Sequence, residues 1–109
     1  MNWIILPYYN CPDYTQQAVD DCLHQSLPSH LLLIDNGSQD AGRIVGEDAA
    51  LRHANVLRWR HDPPLPSLAA TWNRALRFVW EAGGEQALVV NNDVRLHRRT
   101  FEVLQMVQQ

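Results

Sequence analysis

Three short apolar runs in this chain each stop abruptly at polar residues. Trp3-Ile4-Ile5-Leu6-Pro7 gives way to Tyr8-Tyr9-Asn10, Leu31-Leu32-Leu33-Ile34 to Asp35-Asn36-Gly37-Ser38, and Ala87-Leu88-Val89-Val90 to Asn91-Asn92-Asp93. Runs of this length without alternation predict strands buried on both faces, as in a parallel sheet. In open α/β sheets, ligands bind outside the carboxyl ends of the strands, so the residues that end these runs are expected to converge on one crevice.

The segments between the runs carry helical periodicity. Pro12 suits the first turn of a helix, where no N–H is needed, and Asp13 complements the positive end of the helix dipole. That helix is expected to bury Tyr14, Ala18 and Cys22, with Val19 and Leu23 beside them, and to end at Leu27-Pro28. A second helix spans about 41–53, with Ile44, Val45, Ala49 and Leu51 as core candidates and Gly42 and Gly46 weakening it. Residues 55–60 alternate Val56, Arg58 and Arg60 against Leu57 and Trp59, which suggests a strand with one exposed face near the sheet edge. After a proline loop over 61–66, Ser67 is a good N-cap for a helix burying Leu68, Trp72, Ala75, Leu76 and Val79, ended by Gly83-Gly84. A fourth strand is expected over 86–91 and a trailing helix over 99–109. The sum is βαβαβαβ plus a helix, a parallel sheet with right-handed crossovers. That last helix stops without a Gly, Asn or Pro terminator, from which we expect the chain to be cut from a longer one.

Composition adds limits. At 109 residues the chain is one domain with room for a real core. A net charge of -3 gives no pull toward nucleic acid or an anionic membrane. There is no signal-peptide pattern and no long apolar stretch, which favours the cytoplasm. Cys11 and Cys22 are too few for a disulfide framework and are expected to be reduced. None of the five histidines makes a spaced metal motif, although His97 follows Asp93 closely. There is no Walker loop and no G-x-G-x-x-G.

The strand ends carry the candidate chemistry, each with a plainer alternative. Asp93 could hold a hard divalent cation whose remaining oxygen ligands come from substrate phosphates; the same triplet is also a common surface turn. Asp35 could accept a hydrogen bond from a nucleobase N–H, with Gly37 letting a ligand near the backbone; the alternative is a strand-to-helix turn chosen for geometry. Tyr8 or Tyr9 could stack on a base, or fill the core. Asn73 could point into the crevice, and Arg74 and Arg77 could meet a diphosphate or form a solvated face.

The order and spacing of these motifs say more than any one of them. Ile5-Leu6-Pro7-Tyr8-Tyr9-Asn10, Leu33-Ile34-Asp35-Asn36-Gly37-Ser38-Gln39-Asp40, Ala69-Ala70-Thr71-Trp72-Asn73 and Val89-Val90-Asn91-Asn92-Asp93-Val94 together resemble the family 2 glycosyltransferases of the GT-A fold. The resemblance runs from the first strand to the chain end and matches that family's N-terminal, nucleotide-binding half. It implies a Rossmann-like, three-layer α/β/α fold with a mostly parallel sheet, and a single nucleotide-diphospho-sugar-binding domain over residues 1–109. Pro7, Tyr8, Tyr9 and Asn10 would line the nucleotide pocket with Asn36, Asn73 and Asn92, and Asp35 would face the base, usually uracil. Asn91-Asn92-Asp93 occupies the place of the family's D-x-D-type motif, with Asp93 and Asn91 toward Mn²⁺ or Mg²⁺. The expected reaction is inverting transfer of a sugar from a nucleotide diphosphate, most simply a UDP-sugar, to an acceptor that the sequence does not identify. The metal would offset charge on the leaving diphosphate.

Three departures stand out. Asn91 replaces the usual first aspartate, and Trp72 replaces a common arginine. No carboxylate follows Asp93 except Glu102, so no general base is assigned. The missing acceptor half leaves a second reading, a non-catalytic remnant that binds nucleotide or a partner protein. A flavodoxin- or receiver-like module is a third class, although Pro7-Tyr8-Tyr9 lacks the acidic cluster a receiver wants. A half-domain also predicts an exposed apolar face and self-association.

Overall fold

The computed structural model describes residues 1–108. Its elements are β1 (Asn2–Tyr8), α1 (Pro12–Leu23), β2 (His30–Asp35), α2 (Gly42–Arg52), β3 (Val56–Arg60), α3 (Leu68–Glu81), β4 (Gln86–Val89) and α4 (Thr100–Gln108). Gln109, the last residue of the expected C-terminal helix, lies outside the described residues. The four strands pair in parallel in the order β3-β2-β1-β4, the expected α/β architecture.

Side-chain alternation splits the core into two layers. Ile4, Leu6 and Tyr8 of β1 and Leu31 and Leu33 of β2 face Ala18, Val19 and Cys22 of α1, Ala49 of α2 and Phe101 of α4. Trp3, Ile5, Leu32 and Ile34 face Ala75 and Val79 of α3. Each fully buried Ile or Leu here contributes roughly 2 kcal/mol of transfer free energy, which is why β1 and β2 form the centre of the sheet. Burial also pushes the Cys22 thiol up to about 12, so it packs as an inert apolar group.

The chain runs outward from β1 through β2 to β3, and α3 then returns it to β4 on the far side of β1. The strand order therefore reverses between β1 and β4, and the connections leaving their carboxyl ends diverge there. That is the switch point at which open α/β sheets form a ligand crevice.

Several expectations about the helices and strands are corrected. Helix α1 ends at Leu23 rather than at Leu27-Pro28. Residues beyond it are tied elsewhere: Gln25 Nε2 donates to the His97 carbonyl at 2.9 Å and Ser26 N–H to the Arg98 carbonyl at 2.6 Å. On α1 it is Thr15, not Tyr14, that joins Ala18, Val19 and Cys22 in the buried stripe; Tyr14 is 58% exposed. On α2 the buried face is Gly42, Gly46 and Ala49, while Ile44 and Leu51 are 62% and 86% exposed. The reason is proximity. A Cβ on Gly46 would collide with the Tyr8 hydroxyl, and one on Gly42 would lie 2.8 Å from the Asn10 carbonyl oxygen. The two glycines let α2 approach β1 and its following loop more closely than any side chain would allow.

On α3, Ser67 caps the first turn as expected, its Oγ accepting from Ala70 N–H at 3.1 Å. Ala75, Val79 and Thr71 are buried, whereas Leu68 and Leu76 are exposed and Trp72 is half-buried. β3 lies at the expected edge, but Leu57 is its exposed apolar residue, and Arg58, Trp59 and Arg60 are all half-buried. β4 ends at Val89 and is the other edge strand, paired only with β1. Ala87 is therefore exposed and Leu88 and Val89 are half-buried, rather than enclosed on both faces.

Candidate functional site

The switch point holds a crevice of about 490 Å³ lined by Pro7, Tyr8, Tyr9, Cys11, Tyr14, Asn36, Leu68, Thr71, Asn91, Asn92 and Asp93. It thus gathers the ends of β1, β2 and β4 with the first turns of α1 and α3. Six of these eleven residues lie in the three stretches that terminate the apolar runs, Pro7 ends the first run itself, and Cys11 and Tyr14 follow it.

The β1 end makes a tight turn into α1. Asn10 and Cys11 both have positive φ, 55° and 54°, in a region that L-residues rarely enter. The turn is held from outside by the loop after β2. Asn10 N–H donates to Ser38 Oγ at 2.8 Å, Gln39 N–H to Asn10 Oδ1 at 2.7 Å, and Cys11 N–H to Asp40 Oδ2 at 3.1 Å. Asp40 Oδ1 also accepts from Gly42 N–H at 2.8 Å, so one carboxylate joins this turn to the start of α2. Asn10 is therefore a structural member of the turn; it is half-buried and lies outside the crevice lining.

Tyr8, the last residue of β1, and Tyr9, just past it, separate, because adjacent residues of extended chain point to opposite sides. The Tyr8 ring is buried against α2, and burial first, then the Asp35 carboxylate, pushes its hydroxyl up to about 12. Tyr9 is half-exposed at the crevice, and Tyr14 reaches the same crevice from the first turn of α1. Any aromatic stacking surface is therefore Tyr9 and Tyr14, not Tyr8.

Asp35 is fully buried at the end of β2. Its Oδ1 accepts from Ser38 N–H at 2.7 Å and its Oδ2 from Arg60 Nη1 at 2.8 Å. It is not among the crevice-lining residues, whereas its neighbour Asn36 is, with Asn36 Oδ1 accepting from Leu65 N–H at 3.0 Å.

After β4, Val90 N–H bonds the Ile5 carbonyl at 2.9 Å, and the chain then turns outward, Val94 N–H closing on the Asn91 carbonyl at 3.2 Å. Asn91 and Asp93 are exposed at the crevice, and Asn92 between them is half-buried. Asp93 makes no ion pair among the described residues. Asn73, expected to face the crevice, is exposed on α3. Thr71 and Leu68 line the crevice from that helix instead, and a helical advance of about 200° from Thr71 carries Asn73 to the other side.

The described residues contain no group of three or more His, Cys, Asp or Glu that could by themselves hold a metal. The donors present, the Asp93 carboxylate and the Asn91 amide oxygen, are hard oxygens at an open crevice. They fit a Mg²⁺- or Mn²⁺-type ion that takes one carboxylate from the protein and its other ligands from phosphate and water. No helix among the described residues is long and apolar enough to cross a membrane.

The fold is shared with solved glycosyltransferases. The crystal structure of S. aureus TarS superposes with a TM-score of 0.79 at 20% identity, over 96% of this chain and 19% of that one. TarS residues 1–349 in complex with UDP gives the same TM-score over 31% of that chain. The mannosyltransferase PcManGT from Pyrobaculum calidifontis, in complex with GDP-Man and Mn²⁺, gives 0.75 at 21% identity, over 89% of this chain and 29% of that one. An uncharacterized glycosyltransferase of Mycoplasma genitalium is 24% identical over 105 residues, which are 91% of this chain and 33% of that protein. The chain thus spans a third or less of each of these relatives. The family model for glycosyl transferase family 2 matches residues 3–107, and the chain belongs to that family.

Proposed function

We propose that this chain is the donor-binding half of a glycosyltransferase, holding a nucleotide-diphosphate sugar, most simply a UDP-sugar, in the switch-point crevice. The observation that carries this reading is the meeting of Asn91 and Asp93 with Tyr9 and Asn36 in one crevice. Asp93, with Asn91 beside it, would hold Mn²⁺ or Mg²⁺ against the diphosphate. When bound, the ion would supply Lewis-acid stabilisation of the leaving nucleoside diphosphate.

The protein's own residues do the rest. The first turn of α1 reaches the crevice through Cys11 and Tyr14, and its dipole favours an anion there. Tyr9 and Tyr14 offer ring faces to a base or sugar. Asp35 fixes the turn that presents Asn36, and would accept from the base only by sharing an oxygen now bonded to Arg60 or to Ser38 N–H. The complexes of relatives with UDP and with GDP-Man and Mn²⁺ support this class of ligand.

Transfer with inversion needs a general base, and among the described residues the one carboxylate that lines the crevice, Asp93, is assigned to the metal in this reading. Glu102 accepts from Ser26 Oγ at 2.8 Å and Arg99 Nε at 2.9 Å and is not among the crevice-lining residues. That observation favours the second reading, a nucleotide-binding or protein-interaction remnant, should this chain act alone. We further assign the exposed edge of β4, with Leu76 and Trp80 beside it, to self-association. The free thiols of Cys11 and Cys22 accord with a cytoplasmic setting. Calorimetric titration of UDP with Mn²⁺ and with chelator tests the donor-binding proposal.

A further inference from the structure

We propose that Thr15 is a positioning residue that holds Asn92, and through it Asn91 and Asp93, in the geometry that metal-bridged diphosphate binding requires. The inference rests on the donor-binding reading above. Thr15 sits in the first turn of α1 and is 0% exposed. A threonine inside a helix commonly bonds the carbonyl three or four residues back. Here the left-handed turn at Asn10 and Cys11 presents the carbonyl five residues back, and Thr15 Oγ1 donates to Asn10 O at 3.0 Å. With its one proton committed, the hydroxyl is left as an acceptor. It accepts from Asn92 Nδ2 at 3.2 Å, which ties the first turn of α1 to the segment that follows β4.

That second bond does more than satisfy a buried hydroxyl. It fixes which way the Asn92 amide faces, turning Oδ1 away from Thr15. It is also, among the described residues, the only hydrogen bond between residues 91–94 and the rest of the fold. On either side of that stretch the backbone is secured by Val90 N–H to the Ile5 carbonyl and by Leu96 N–H to Asp21 Oδ2. Arg95 adds two side-chain bonds to the same Asp21 carboxylate, so among the described residues the stretch 91–94, which carries the candidate metal ligands, has Thr15 as its one hydrogen-bonded anchor. Groups that orient a ligand in this way are worth about 10- to 100-fold in metal affinity.

The test compares wild type, Thr15→Val, Thr15→Ala and Thr15→Ser. UDP dissociation constants are measured with Mn²⁺ and with chelator, and folding is checked by circular dichroism. The valine variant is isosteric without the hydroxyl, the alanine variant guards against a fold lost to the added methyl, and the serine variant restores the hydroxyl. The expected result is that Thr15→Val and Thr15→Ala lose about tenfold or more of the Mn²⁺-dependent tightening of UDP. UDP affinity in chelator should stay unchanged, and Thr15→Ser should recover most of the loss. Full Mn²⁺-dependent tightening in folded Thr15→Val or Thr15→Ala overturns the inference. So does an equal loss with and without Mn²⁺, which marks a merely structural role. Absence of Mn²⁺-dependent UDP binding in wild type overturns the donor-binding reading itself and this inference with it, so the two failures are distinguishable.

Discussion

Asp35 and Arg60 stand opposite each other in the register of β2 and β3 and form a 2.8 Å ion pair around a fully buried carboxylate. The second carboxylate oxygen holds Ser38 N–H, so this pair fixes the turn that leads Asn36 to the crevice. Removing only the cation would strand a buried charge. Arg60→Ala is expected to cost about 3 kcal/mol in urea unfolding, because an uncompensated buried carboxylate is strongly destabilising. In the double variant Asp35→Asn/Arg60→Ala the losses should fall short of additive by about 1–3 kcal/mol. Additive losses would show that the pair does not couple.

Tyr8 gives a pH-dependent prediction. Burial, followed by the Asp35 carboxylate, raises its pKa from 10.0 to about 12 in the folded chain. The folded state therefore favours the neutral phenol, and the stability this brings is present below pH 10 and lost as pH rises from there toward about 12. In an ultraviolet titration of the folded protein one of the three tyrosines should ionise last, and Tyr8→Phe should remove that phase. Among the described residues the Tyr8 hydroxyl has no hydrogen-bond partner. Its removal should leave stability at neutral pH unchanged or raise it by up to about 1 kcal/mol.

Gly46 predicts a substitution whose sign opposes helix propensity. Alanine is better than glycine in a helix interior by about 1 kcal/mol. Here its methyl would meet the Tyr8 hydroxyl, so Gly46→Ala should instead destabilise by about 1–3 kcal/mol, as overpacked cores do. Combining it with Tyr8→Phe should restore part of the loss. A stabilised Gly46→Ala protein would contradict the close approach of α2 to β1.

The edge of β4 predicts association. Residues 86–90 carry neither charge nor proline to block pairing, and Ala87, Leu76 and Trp80 are exposed around the edge. Light scattering should show a mass that rises with concentration, and Ala87→Lys should suppress it. A mass independent of concentration in the wild type would contradict the assignment.

The strands and their order along the chain were legible in the sequence, because β1 and β2 are buried on both faces and read as unbroken apolar runs. β4 read the same way yet lies at an edge; composition does not reveal how many neighbours a strand has. Hydrophobicity also misled on two helices. Tyr14 and Ile44 look like core, but Thr15 and Gly46 take those places. The signal for both was present as spacing. Thr15 continues the i, i+3, i+4, i+7 stripe of Ala18, Val19 and Cys22, and Gly42 and Gly46 are one helical step apart on the face of Ala49. The crevice itself followed from the polar ends of the apolar runs. Tyr9, Asn36, Asn91, Asn92 and Asp93 line it, while Asn73 faces elsewhere and Asn10 and Asp35 act behind it in the turns. Asn10 takes its role from bonds to Ser38 and Gln39, 28 and 29 positions away, and Asp35 from its pair with Arg60, 25 positions away, which no local pattern encodes.

In the proposed function the crevice holds a nucleotide diphosphate through a divalent ion at Asp93. Calorimetric titration of UDP into the wild-type chain and Asp93→Ala, each with Mn²⁺ and with chelator, addresses it most directly. UDP binding that Mn²⁺ tightens is expected in the wild type, with that tightening lost in Asp93→Ala. Absence of UDP binding in both conditions, or an Asp93→Ala chain that responds to Mn²⁺ as the wild type does, would contradict it.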